Sequence, residues 1–205
     1  MYYFGDLDPK LSWLCRKILR RGDTAIDIRA KSRCGRCPHG WRCWQLWNGS
    51  CFRTAARSRI FDCAFGRIKY LRSLHVHCVA LGNKDDCLEL CISYGNSGCA
   101  SLIRRDNKGT AKAVPVKESG PCFDGLGLEA IRLIKIDVEG FEDSIFSGAA
   151  SYLCKNSPDA MVFESHDYSI DFADQSVTKT LSSLGYSFIE IQKKASHVCI
   201  CAGSI

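Results

Sequence analysis

The chain has 205 residues, which is enough for one α/β domain with a substantial hydrophobic core but too few for two such domains. Apolar residues make up 46% and charged residues 24%, values that are typical of globular proteins and exclude disorder as the default. No stretch approaches the ~20 consecutive apolar residues of a membrane span, and the first residues lack the layout of a secretory signal. We therefore expect one soluble domain over residues 1–205, in the cytoplasm and away from membranes.

The 14 cysteines and the net charge of +6 are the unusual totals. In a reducing compartment the cysteines would be thiols that pack mostly as small apolar groups. The positive charge is concentrated, because residues 29–69 contain ten Lys or Arg and a single acid, Asp62. Since the rest of the chain is mildly acidic, the net charge does not predict a nucleic-acid-binding protein.

Hydrophobic periodicity predicts the elements of the chain. In chain order they are a helix at 11–19, strands at 24–28, 75–81, 87–92 and 131–138, a helix at 142–153, a strand at 160–164, a helix at 173–184, and strands at 187–192 and 197–202. Residues 29–69 have no clean period and predict an irregular segment, while residues 95–113 read as an exposed loop. Strands that alternate with helices predict an α/β fold with a mostly parallel sheet, closed by an antiparallel strand at its edge.

Three acids lie at the ends of predicted strands, namely Asp27, Asp137 and Glu164. In a parallel α/β sheet, ligands gather beyond the carboxyl ends of the strands. Carboxylates there can accept hydrogen bonds from ligand hydroxyl or ammonium groups, or act as a base on a hydroxyl. Each acid taken alone could instead cap the turn or helix that follows it. The three together favour a ligand site.

One of these acids lies in a longer motif. Residues 135–142, with the sequence Lys-Ile-Asp-Val-Glu-Gly-Phe-Glu, resemble the signature of FkbM-type methyltransferases in a strand–turn–helix context. Residues 22–28 resemble the first strand of that family, and the resemblance covers roughly residues 1–28 and 75–205. The resemblance implies a class I, Rossmann-like fold with a seven-stranded sheet. It also implies transfer of a methyl group from S-adenosylmethionine to an oxygen, typically a hydroxyl of a sugar or natural product.

The same resemblance implies the site residues. The side of the cleft where methyl transfer takes place would be lined by Lys135, Asp137, Glu139, Glu142 and Glu164, and the cofactor would contact Asp27, Ala30 and Asp137. The protein would mainly align the two reactants and help the acceptor hydroxyl lose its proton. We expect a small-molecule or saccharide acceptor, no nucleic acid and no metal ion in this site.

The segment after the first predicted strand departs from the family pattern. Family members resemble Asp-Ile-Gly-Ala-Asn-x-Gly there, and the glycines let the backbone approach the cofactor. Here Arg29 and Arg33 stand where those glycines are expected, and no second strand ending in an acid is apparent. Because the composition switches sharply to Cys, Arg and Trp, one hypothesis is that residues 29–69 are translated out of frame.

Two other interpretations stay open. The chain could be a member of this family that has lost catalysis, because its glycine loop is replaced. It could also be a zinc-binding interaction module, since Cys34 and Cys37 with Cys43 and Cys51, or with His39, are metal-ligand types at plausible spacing.

Overall fold

The computed structural model describes residues 17–20, 23–29, 48–53, 74–77, 79–93, 101–103, 109–128, 130–165, 170–192 and 197–202. Its strands are β1 Thr24–Arg29, β2 Asn48–Arg53, β3 Leu74–His77, β4 Ala80–Gly82, β5 Asp86–Ser93, β6 Gly109–Glu118, β7 Leu133–Asp137, β8 Ala160–Ser165, β9 Ser187–Gln192 and β10 His197–Ala202. Its α-helices are α1 Ser119–Asp124, α2 Glu142–Lys155 and α3 Ser176–Ser183, and a 3-10 helix spans Phe172–Asp174.

The larger sheet has seven strands in the order β3-β2-β1-β7-β8-β10-β9. The five strands from β3 to β8 run parallel, which confirms the predicted α/β fold with a mostly parallel sheet. The predicted closing pair is present as β9 and β10. β9 is the edge strand and pairs antiparallel with β10, which confirms the antiparallel strand predicted at the edge. β10 also pairs antiparallel with β8, so its backbone groups are bonded on both sides.

The prediction that residues 29–69 are irregular throughout is wrong at β2. This strand runs parallel to β1 from the pair Thr24 and Asn48 to the pair Arg29 and Arg53, and β3 pairs with its other side. Its sequence, Asn-Gly-Ser-Cys-Phe-Arg, includes residue types that are depleted in strands. Hydrogen bonding to two parallel neighbours therefore outweighs the weak strand propensity of these residues. The segment supplies an interior strand of the sheet that the sequence did not predict.

A second sheet has three strands in the order β4-β6-β5. Residues 109–113, predicted as exposed loop, belong instead to β6, which pairs antiparallel with the whole of β5. The pairing buries Leu90, Val114 and Val116, and this apolar face explains why a segment rich in Gly, Thr and Lys forms a strand. The strand predicted at 75–81 is divided, because β3 belongs to the large sheet and β4 to the small one.

Helix α2 and strand β7 form the centre of the core. One face of α2 is apolar, and its residues Ile145, Phe146, Ala149 and Leu153 are all buried. Every residue of β7 is buried as well, as expected for a parallel strand covered on both faces. The predicted helix at 173–184 is split by the extended backbone of Gln175 into the 3-10 helix and α3. In the part of the chain that the structure describes, no helix is both long and apolar enough to cross a membrane.

Candidate functional site

The turn between β7 and α2 has an unusual backbone. β7 ends at Asp137, and α2 begins at Glu142. Between them Glu139 has φ of 57° and Gly140 has φ of 101°. Glycine adopts such angles readily, whereas a glutamate rarely does, so the surroundings must hold Glu139 in this conformation. Local strain of this kind is concentrated at functional sites in proteins.

Three charged side chains meet at the carboxyl ends of β1 and β7. Lys135 and Asp137 are two residues apart and therefore share one face of β7, while Asp27 is the direct neighbour of Lys135 across the sheet. Lys135 Nζ lies 3.0 Å from Asp137 Oδ2 and 3.8 Å from Asp27 Oδ1. The structure thus brings together three of the residues that the sequence predicted for the site. We call these three residues the charged cluster.

The charged cluster is deeply buried. Lys135 is 1%, Asp27 3% and Asp137 8% exposed. An unpaired charge at such depth is very costly, so the ammonium group stabilises two carboxylates that would otherwise repel each other. With all three groups ionised, the cluster carries one net negative charge. In a medium of low polarity this charge favours a cationic or hydrogen-bond-donating ligand at the end of β7.

Glu142 closes the turn from the helix side. Its Oε1 accepts a hydrogen bond from the backbone N–H of Val138 at 3.3 Å, and the side chain is 6% exposed. This contact ties the first residue of α2 to the residue that follows β7. The structure therefore places Glu142 where it braces the turn that carries Glu139.

Glu164 and Ala30 complete the predicted set. Glu164 follows Phe163, which pairs with Ile136, so its backbone lies level with Asp137 at the end of the neighbouring strand. Ala30 lies outside the described residues, as do Arg33, Cys34, Cys37, His39 and Cys43. Arg29 is described as the last residue of β1, where its backbone pairs with Asp137 and Arg53.

Sequence reasoning missed Ser101. Its hydroxyl donates a hydrogen bond of 2.8 Å to the carbonyl oxygen of Glu139, and the residue is 4% exposed. Ser101 lies in the stretch that was predicted to be an exposed loop, among other small polar residues. No local signal separates it from those neighbours, because its hydrogen-bond partner Glu139 lies 38 residues away in the chain.

The structure also contains a cleft of about 470 Å³ at the opposite ends of the strands. It is lined by residues that precede β1, β7 and β8, among them Asp23, Arg132 and Asp159. The guanidinium of Arg132 bonds Asp159 and the carbonyl oxygen of Ile18, so this charge is neutralised within the cleft. Burial raises the pKa of Tyr152 in its wall, and Asp124 adds to the effect, which keeps this phenol neutral. This cleft shares no residue with the charged cluster and is not the candidate site.

Comparison with known proteins identifies relatives of the chain. The family model of the methyltransferase FkbM domain matches residues 58–188. The crystal structure of the methyltransferase FkbM from Methylobacillus flagellatus KT superposes with a TM-score of 0.57 at 13% identity, over 90% of this chain and 45% of that one. The chain thus spans less than half the length of that structure.

A second solved structure has a similar fold. It is Streptococcus pneumoniae Sp1610, provisionally assigned as a tRNA (m1A22) methyltransferase, with a TM-score of 0.51 at 10% identity, over 97% of this chain and 72% of that one. Identities this low show the shared class I methyltransferase fold alone. A search of curated proteins found no match.

Proposed function

Because the chain belongs to the FkbM methyltransferase family, we propose that it binds S-adenosylmethionine and methylates a hydroxyl of a sugar or natural product. The observation that carries this proposal is the charged cluster at the carboxyl ends of β1 and β7. Ligands of parallel α/β sheets bind at these ends. A small-molecule or saccharide acceptor, and no nucleic acid or membrane, is part of the proposal.

The charged cluster fits a cationic cofactor. S-adenosylmethionine supplies, when bound, an electrophilic methyl group on a positively charged sulfur. The carboxylates of Asp27 and Asp137 would bind its cationic or hydroxyl groups, and Lys135 holds both carboxylates in place. Since all three are at least nine-tenths buried, their orientation is set before any ligand arrives.

Methylation of an oxygen also needs a base. The bound cofactor would supply the methyl group to the acceptor oxygen, and a carboxylate of this chain would take the proton of the acceptor hydroxyl. Glu139 lies on the turn that follows β7 and is partly exposed, whereas Asp137 and Glu142 are buried. We assign the role of base to Glu139, with Glu164 on the neighbouring strand as the alternative.

Isothermal titration calorimetry with S-adenosylmethionine tests the proposal directly. We expect the wild-type protein to bind, and Asp137→Asn to weaken the affinity by roughly 10- to 100-fold, the effect of losing a charge-assisted hydrogen bond worth about 1.5–3 kcal/mol. Asp124→Asn is the matched control, because Asp124 is an exposed acid at the end of α1. A wild-type protein that does not bind at millimolar cofactor would refute the proposal.

A second candidate function is a family member that no longer binds the cofactor. The observation in its favour is Arg29, which ends β1 level with Asp137 where the family pattern has its first glycine. This candidate predicts a folded protein with no calorimetric signal. For the zinc hypothesis, whose cysteines lie outside the described residues except for Cys51 in β2, metal analysis of purified protein decides. Less than one zinc per chain would rule it out.

A cytoplasmic location is also part of the proposal. It is supported by the free thiols of Cys87, Cys91, Cys122 and Cys154 in the described part of the chain. Reducing compartments keep such groups unpaired. Cell fractionation with thiol labelling checks this: we expect the cytosolic fraction and reactive thiols, and recovery in a secreted, disulfide-bonded form would contradict it.

A further inference from the structure

Ser101 joins the small sheet to the turn of the candidate site. Its backbone forms an antiparallel bridge with Cys91 of β5, with N–H to carbonyl distances of 2.9 Å and 3.1 Å. The residue is 4% exposed. Both features fix the main chain of Ser101, so the hydroxyl has a defined position relative to β5.

The hydroxyl of Ser101 is also fixed in orientation. It accepts a hydrogen bond from the backbone N–H of Ile103 at 3.1 Å and donates one to the carbonyl oxygen of Glu139 at 2.8 Å. A serine hydroxyl has a single proton, and a carbonyl oxygen can only accept. The hydroxyl proton must therefore point at the carbonyl oxygen of Glu139, so Ser101 is the donor in this bond and Glu139 the acceptor.

The carbonyl that Ser101 holds belongs to the strained residue of the turn. Glu139 has φ of 57° and is followed by Gly140 with φ of 101°. A non-glycine residue keeps such a conformation only when its neighbours impose it. On one side the carboxylate of Glu142 bonds the N–H of Val138, and on the other Ser101 bonds the carbonyl of Glu139. Together the two bonds clamp the backbone at Val138 and at Glu139.

We propose that Ser101 is a positioning residue for methyl transfer. Its hydrogen bond holds the Glu139–Gly140 turn in the left-handed conformation. The bond thereby sets the direction in which the Glu139 side chain projects from the backbone. This inference rests on the proposed function, in which Glu139 takes the proton of the acceptor. It gives the small sheet a part in catalysis through one hydroxyl group.

The test compares Ser101→Ala with Ser101→Thr, which keeps the hydroxyl. Ser119→Ala is the matched control, because the buried hydroxyl of Ser119 also donates to a backbone carbonyl, that of Gly82, at 2.9 Å. We expect Ser101→Ala to lower kcat by roughly 10- to 100-fold, as misplacement of a reacting group does, with the Kd for S-adenosylmethionine unchanged. Ser101→Thr should restore most of kcat. Ser119→Ala should lower the melting temperature without lowering kcat.

A second readout reports on the turn without requiring activity. In protein labelled with 13C and 15N, the Glu139 carbonyl and Gly140 amide resonances should shift in Ser101→Ala and stay in place in Ser119→Ala. Unchanged resonances in Ser101→Ala, or equal kcat losses in both alanine variants, overturn the proposal. If the wild type transfers no methyl group, the proposed function and the catalytic role of Ser101 both fail, while shifted resonances would still establish the clamp.

Discussion

At the residue scale, the main feature is an ammonium group on a strand that is otherwise buried and apolar. Lys135 lies between Ile134 and Ile136, both nearly inaccessible to water, and its charge is balanced only by Asp27 and Asp137 among the ion pairs described. Removing one partner from a buried ionic network leaves the others desolvated and uncompensated. The stability of the fold and the chemistry of the site therefore depend on the same three groups.

Replacing Lys135 with Met should strongly destabilise the fold. The variant leaves two buried carboxylates facing each other, and we expect the free energy of unfolding to fall by about 3–5 kcal/mol in urea denaturation. Lys179→Met is the matched control, because Lys179 pairs with Asp174 at 3.1 Å while both side chains are more than 60% exposed. That variant should lose less than about 1 kcal/mol. Equal losses in the two variants would show that the charged cluster is not a desolvated network.

At the element scale, helix α2 approaches β4 through glycine. A methyl group on Gly148 would lie 2.1 Å from the carbonyl oxygen of Gly82 and 2.8 Å from Cα of Asn83. The backbone N–H of Asn83 in turn bonds Ser144 Oγ of α2 at 3.2 Å. The helix that begins beside the candidate site is thus held against the small sheet at backbone contact distance.

A methyl group at position 148 should separate these two elements. We expect Gly148→Ala to lower the free energy of unfolding by about 1–3 kcal/mol, although alanine favours helices, because neither backbone can move aside cheaply. Ser147→Ala is the control, since Ser147 is an exposed residue of the same helix. Its stability should stay within about 0.5 kcal/mol of wild type. A Gly148→Ala protein as stable as wild type would mean that α2 is not packed this closely.

The elements also differ in how well the sequence predicts them. Strand β7, helix α2 and strands β8, β9 and β10 follow from hydrophobic periodicity. The two acids of the charged cluster follow from their places at strand ends, whereas Lys135 was predicted only from the family resemblance. Strand β2 and the first half of β6 were missed, because Gly, Ser, Asn and Lys have low strand propensity and these segments are held by pairing with distant strands. Ser101 was missed because the carbonyl group that it bonds, that of Glu139, lies 38 residues away in the chain. Local patterns carry no record of partners far away in the chain.

The hypothesis that residues 29–69 are translated out of frame stays a prediction. β2 lies inside residues 29–69, and the FkbM family model begins to match at residue 58. Resequencing the gene and translating residues 29–75 in all three frames checks the hypothesis. We expect a shifted frame to encode a glycine loop directly after Asp27. If no frame does so, the segment is genuine and the hypothesis is wrong.

At the scale of the whole molecule, the large sheet ends in strand β9 with an apolar residue on its outer face. Ile189 is 61% exposed, whereas Phe188 on the opposite face packs edge-to-face with Phe172 at 5.3 Å. Edge strands that present apolar side chains are templates for pairing between molecules. The edge of the sheet that carries the candidate site is therefore a place where two copies of the chain can associate.

Changing Ile189 to Lys should slow aggregation without weakening the fold. The exposed side chain contributes little to stability, and a charge on an edge strand disfavours pairing with a second copy. Static light scattering on heating measures the onset of aggregation, which we expect at higher temperature for Ile189→Lys. Ser187→Lys, on the same face of β9, adds the same charge without removing apolar surface and should have a smaller effect. If both variants behave alike, charge alone explains the result.

The pairing of Asp27 with Lys135 has a consequence for how the molecule reaches its folded form. The two residues come from segments far apart in the chain, and they meet only when β1 has joined β7. Contacts of such long sequence separation form slowly, because the intervening chain must first lose its freedom. In molecules in which β1 has not yet paired with β7, Lys135 can contact Asp137 but not Asp27, so the charged cluster is incomplete. The proposed affinity for the cofactor, measured at intervals during refolding, would then report when β1 pairs with β7.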